Sequence, residues 1–96
     1  MKQIKSLNIL GMKVNVVYID LSAEDICGQY NYKEKKIYID KKLDKETMLI
    51  TLFHEFFHAT FYRAGLPNAK VSDDVEEILV DQFSKALVEN FHFRPK

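Results

Sequence analysis

Residues 45–64, KETMLITLFHEFFHATFYRA, hold the longest helical pattern in the chain. Asp44 precedes it as a candidate N-cap with Glu46 in the first turn, and Gly65 followed by Pro67 supplies a stop. Leu49, Leu52, Phe53, Phe56, Phe57 and Thr60 form a broad apolar face, which predicts burial of one side. On the edge of that face lies His54-Glu55-Phe56-Phe57-His58, an HExxH motif. Four residues turn an α-helix by about 400°, so the two imidazoles stand one turn apart on nearly the same side. Both can then reach one tetrahedral Zn²⁺ at roughly 2.0–2.1 Å. Glu55, about 100° round from His54, is set off from that pair and placed to handle protons on water at the metal. The flanking Thr51, Leu52, Ala59 and Thr60 are uncharged, and a dry surround strengthens ligand binding.

A catalytic zinc usually takes three protein ligands. The third is expected from a second helix that opens with Asp73-Asp74-Val75-Glu76-Glu77, capped by Ser72 or Asp73 and running to about Phe91. The connection from Gly65 to Ser72 is short, so the two helices should be antiparallel neighbours. At 1.5 Å per residue, His58 lies about 9 Å before the end of the first helix and Glu77 about 6 Å into the second. His54 and Asp81 lie about 15 Å and 12 Å from the turn. Glu77 is thus level with His58 and is the favoured ligand. Asp81 is level with His54 and is the expected acceptor that fixes the tautomer of His54. Glu76 is the rival ligand, because it falls nearer the apolar arc of Val75, Leu79, Phe83 and Ala86, where a buried carboxylate needs a partner.

With these residues in hand a resemblance can be stated. The motif at 54–58 together with Glu77-Ile78-Leu79-Val80-Asp81-Gln82-Phe83-Ser84 resembles gluzincins, the zinc metallopeptidases with HExxH and a downstream glutamate. The second stretch is similar to the ExxxD helix of thermolysin-type and membrane-type gluzincins. It is also similar to the E-x-x-A-[ND]-x-F-A helix of the ImmA/IrrE group of phages and mobile elements, with Val80 and Ser84 at the two Ala positions. Upstream, Gly28-Gln29-Tyr30 and Lys36-Ile37-Tyr38-Ile39-Asp40, leading into Thr51-Leu52-Phe53-His54, look like small phage proteins of this type. The resemblance covers about residues 28–87. It implies a zincin-like fold and a Zn²⁺-dependent peptidase with one ion per chain, Glu55 as general base and a peptide or protein as substrate. Thr60 departs from the larger hydrophobe common at its position. No clear downstream Tyr or His matches the oxyanion-stabilising residue of larger enzymes; His92 and Tyr62 are the available side chains.

The N-terminal half reads as strands. Ile4, Leu7, Ile9 and Leu10 lead to Gly11, and Val14, Val16, Val17, Tyr18 and Ile19 follow with β-branched density. Residues 28–32 and 36–40 form a hairpin about Lys33-Glu34-Lys35, with Ile37 and Ile39 on its buried face. The expected fold is α+β: a three- to four-stranded sheet packed on two antiparallel helices, in one domain spanning 1–96. Gluzincins of this shape hold an extended substrate against an edge strand above the active-site helix. The strand chosen for that here is Lys36, Ile37, Tyr38, Ile39 and Asp40, by β-augmentation. An ordinary charged edge that avoids aggregation is the alternative.

Composition narrows the field. The chain has 96 residues, 47% of them hydrophobic, enough for one modest core. Its 14 basic residues balance 14 acidic ones, so no electrostatic case exists for nucleic acid or an anionic membrane. Cys27 is the only cysteine, which excludes an internal disulfide, fits a reducing compartment and adds nothing needed to the metal motif. No signal peptide or run of transmembrane length is visible, so a cytoplasmic protein is expected, in the host cytoplasm if phage-encoded. Two rival functions stand beside the peptidase. One is a zinc-binding, non-proteolytic interaction protein, since metal can supply folding energy to so small a domain. The other is a metal-free binding module with a coincidental motif, against which the matching glutamate of the second helix argues.

Overall fold

Apolar alternation in the N-terminal half and the 3.6-residue period after it resolve into four strands and two helices. The computed structural model describes residues 3–65 and 69–91. Its elements are β1 (Ser6–Ile9), β2 (Met12–Ile19), β3 (Gly28–Asn31), β4 (Lys36–Asp40), α1 (Lys45–Arg63) and α2 (Asp73–Asn90). A single 3₁₀ turn, Ser22–Glu24, links β2 to β3. The fold is α+β, as expected from the sequence.

The β1–β2 hairpin turns on Leu10 and Gly11, both left-handed at φ 49 and φ 82. That pair matches the twist of antiparallel strands, as in a type I′ turn. At the other hairpin, Asn31 Oδ1 accepts from the backbone N–H of Lys33 and of Glu34, each at 3.0 Å, and so closes the loop into β4. The sheet order is β1-β2-β4-β3, with β2 and β4 parallel and the outer pairs antiparallel. Val14, Val16, Ile37 and Ile39 therefore share one face, and all are buried.

This order corrects one expectation. Lys36, Ile37, Tyr38 and Ile39 do not lie on an edge: β4 is paired with β2 on one side and β3 on the other. The physical reason is burial. A strand whose Ile37 and Ile39 are both fully covered belongs in the middle of the sheet, and β3, with Gly28 and Gln29, takes the margin. A hairpin alone does not encode which of its two strands faces outward.

α1 crosses the apolar face of the sheet. Leu52 and Ala59 are its deepest apolar residues, with Met48 and Phe56 packed around them. The phenylalanines Phe53 and Phe57 are only half-buried, on the flank. Asp44 caps the helix, accepting from the Thr47 N–H at 3.3 Å, and the chain leaves through Gly65 at φ 83. Pro67 lies outside the described residues. α2 begins at Ser72, whose hydroxyl accepts from the Val75 N–H at 3.2 Å.

α2 packs on α1, so the layers run sheet, α1, α2. The contact face of α2 is made of small residues. Val80 and Ser84 are 0% exposed, and the Ser84 hydroxyl is satisfied by the Val80 carbonyl at 2.7 Å. Short side chains there let the helix axes approach closely. The arc of Val75, Leu79, Phe83 and Ala86 points instead to solvent, with Phe83 54% exposed. An apolar period locates a face of a helix without saying whether the same chain covers it.

Candidate metal centre

The helix pair brings three side chains together. His54 and His58 stand one turn apart on α1, ring centroids 4.8 Å apart, with their Nε2 atoms at 3.2 Å. From α2, the Glu77 carboxylate reaches both: Oε1 lies 2.9 Å from His54 Nε2 and Oε2 lies 3.1 Å from His58 Nε2. One ligand atom from each of the three falls within 4.8 Å of the others. Two atoms bound at about 2.0–2.1 Å to a tetrahedral ion stand roughly 3.3 Å apart. The donor spacings are close to that figure, and two imidazole nitrogens with one carboxylate suit zinc among the divalent ions. The residues fit the metal that the motif implies.

Glu76 has a separate task. Its Oε2 lies 2.7 Å from His58 Nδ1, and a carboxylate only accepts, so with Nε2 given to a metal the proton would sit on Nδ1. That bond fixes the ring and leaves Nε2 as the nitrogen presented to His54 and Glu77. The level count along the two helices assigns this orienting role to Asp81, on His54. Here the structure corrects it: Asp81 is held by Lys85 Nζ at 3.0 Å and by the Gln82 side chain at 3.1 Å, not by His54. Lys85 also holds the Asp81 carboxyl below the usual range. The i,i+4 pairing on one helix won over the reach across to α1. Asp81 nevertheless stays beside His54, in the wall of the adjoining cavity.

Glu55 stands next to the donors without belonging to them. It is half-buried, and burial pushes its carboxyl above the usual range, against the pull of His54, His58 and the Tyr30 backbone N–H. The Tyr30 amide is free to make that bond because of strand parity. The Cys27 carbonyl accepts from the Asp40 N–H at 2.8 Å, so residues 27 and 29 face β4 while 28 and 30 face outward. The margin of β3 thus borders the site, and one of its amides is already committed to Glu55.

A cavity of about 310 Å³ opens beside His54 and Glu55, walled by Ile26, Cys27 and Ile50, with Asp81 at its side. Neither Ile26 nor Cys27 was suggested by the sequence as part of a site; the loop before β3 puts them there. Cys27 is a free, exposed thiol and lies outside the donor group. Tyr62 stacks on Tyr32 with centroids 5.1 Å apart and is 48% exposed. His92 lies outside the described residues.

Gly28 sets how closely β3 meets α1. A Cβ there would lie 2.6 Å from Thr51 Cγ2 and 2.9 Å from the Tyr38 carbonyl oxygen. The second atom is backbone and cannot rotate away. Gly28→Ala should therefore lift β3 from α1 and cost about 1–3 kcal/mol, the usual range for overpacking. Urea denaturation of the two proteins measures this; an unchanged midpoint would mean the strand has room that the distances deny.

Comparison of the chain with protein-family models, with curated proteins and with solved structures finds no match. Among the described residues, no helix is long and apolar enough to cross a membrane.

Proposed function

We propose that this chain is a zinc-dependent peptidase of gluzincin type, with His54, His58 and Glu77 as metal ligands and Glu55 as general base. The observation that carries the reading is Glu55: a half-buried carboxylate set beside the donor cluster but outside it. A metal site serving stability alone has no use for such a group. When bound, zinc supplies an activated water and polarises the scissile carbonyl.

The chain's own residues do the rest. Glu55 accepts the proton released by the attacking water and hands it to the leaving amine. Its raised affinity for protons, caused by burial, suits that exchange. Glu76 holds His58 in one tautomer. The outward margin of β3, at Gly28 and at the Tyr30 carbonyl, is the place for an extended peptide to add by main-chain hydrogen bonds. The adjoining cavity takes one side chain of that peptide. A cytoplasmic setting and a phage or mobile-element origin belong to the same proposal.

The test is a peptide library read by mass spectrometry, before and after chelation. Cleavage should stop when metal is removed and return with added zinc. Cleavage that persists in fully metal-free protein would overturn the reading.

A further inference from the structure

The cavity of about 310 Å³ beside His54 and Glu55 has walls of two kinds. Ile26, from the loop before β3, and Ile50, one turn before His54 on α1, are apolar, and Thr51 closes the side between α1 and β3. Asp81 of α2 adds a carboxylate. Both hydrogen bonds that Asp81 receives, from Lys85 Nζ and from the Gln82 amide, fall on Oδ2. Its Oδ1 accepts no hydrogen bond among the described residues. The charges around the cavity are mostly of one sign. Glu24 and Asp25 immediately precede Ile26, Glu46 lies one turn before Ile50, and Glu55 stands in the wall itself. Within one helical turn or two loop residues of the lining, Lys85 is the only lysine or arginine.

We propose that this cavity selects a basic side chain, lysine or arginine, at the substrate residue next to the scissile bond. The inference rests on the peptidase reading and narrows its substrate. Position follows from the lining: His54 and Glu55 border both the donor cluster and the cavity, so the side chain that enters belongs to a residue flanking the bond under attack. Chemistry follows from the two kinds of wall. The methylene stem of a lysine or arginine lies along Ile26 and Ile50, and its cationic head donates to Asp81 Oδ1. A purely apolar side chain would strip water from that oxygen and give it no bond in return. An acidic one would meet Asp81 and Glu55 with like charge.

Lys85 is a weak competitor for the same carboxylate. Its pair with Asp81 is a partly exposed i,i+4 contact on one helix, of the kind that contributes little, and it occupies one oxygen only. Removing Lys85 should therefore sharpen the preference, whereas removing the Asp81 charge should abolish it.

The test has two arms. In the first, the zinc-loaded chain cuts a peptide library, and mass spectrometry should show lysine and arginine enriched at one position beside the cut. Peptides carrying lysine, norleucine or glutamate at that position then give kcat/KM. Lysine should lead norleucine by about 10-fold, a charge-assisted hydrogen bond discounted for the exposure of Asp81. Asp81→Asn should bring the two level, and Lys85→Gln should widen the gap by about 2-fold. In the second arm no cleavage is needed. Nα-Acetyl-lysine methylamide and its norleucine and glutamate counterparts are titrated at millimolar concentration while the Ile26 and Thr51 amides are followed by NMR. The lysine probe alone should move them, and Asp81→Asn should remove the response. Cleavage without a basic preference would overturn this inference and leave the peptidase standing. Lysine-selective shifts in a chain that cuts nothing would keep the cavity's preference and count against the peptidase. Shifts no larger for lysine than for norleucine, or a preference indifferent to Asp81→Asn, would overturn the proposal.

Discussion

Glu55→Gln should keep the fold and keep zinc, yet slow peptide hydrolysis by about 10²–10⁴-fold, the usual contribution of a general base. Glutamine matches glutamate in size and still accepts from the Tyr30 amide through its carbonyl oxygen. The donor cluster does not include residue 55, so metal content should be untouched. What disappears is the ability to take a proton from water. Mass-spectrometric assay of wild type and variant at equal zinc content makes the comparison. Equal cleavage by the two proteins would point to a contaminating protease. Loss of zinc in the variant would mean that Glu55 is a ligand and that the division of roles is wrong. If neither protein cleaves, the variant serves as a substrate trap. A partner held by it and released intact by wild type would favour a zinc-binding interaction protein over an enzyme.

Zinc binding should depend on three residues almost completely and on a fourth by degree. His54→Ala, His58→Ala and Glu77→Gln each remove one donor from a three-donor set, and zinc at one ion per chain should fall to near none. Glu76→Gln should behave differently. It replaces the acceptor on His58 Nδ1 with a weaker one, so affinity should drop by about 10–100-fold while full occupancy returns at high zinc. Competition with a chromophoric chelator gives the four affinities. Full zinc retention in the Glu77 variant, with loss in the Glu76 variant, would exchange the two roles. Asp81, tied to Lys85, should matter less than either.

The order of these glutamates shows what could be read in the chain and what could not. The helices, their caps at Asp44 and Ser72 and the α+β class follow from period, capping residues and turn chemistry, all of which act over a few residues. The approach of Glu77 to His54 and His58 follows from counting residues back from a short turn, because antiparallel helices keep level positions level. Counting does not fix rotation about the axis. Val80 and Ser84, not the larger Leu79 and Phe83, turned out to face α1, and that rotation carried Glu76 to His58, while Asp81 pairs with Lys85 on its own helix. Sheet order was hidden for a related reason. The β2–β4 pairing joins segments distant in sequence, and no local signal separates β4 at the centre from β3 at the margin. The role of Gly28 needs that order first, since its constraint comes from Thr51 and Tyr38.

The layering of sheet, α1 and α2 has a thermodynamic consequence. The sheet and α1 share one continuous apolar cluster, whereas α2 is fastened to α1 by a narrow band of small side chains and by two glutamates. Such an outer element forms its own cooperative unit and opens at lower free energy than the rest. The residues that would hold the ion straddle that boundary. Zinc would therefore act on this protein as a latch, closing α2 onto the layer formed by the sheet and α1. Its release would loosen one layer and leave the sheet intact.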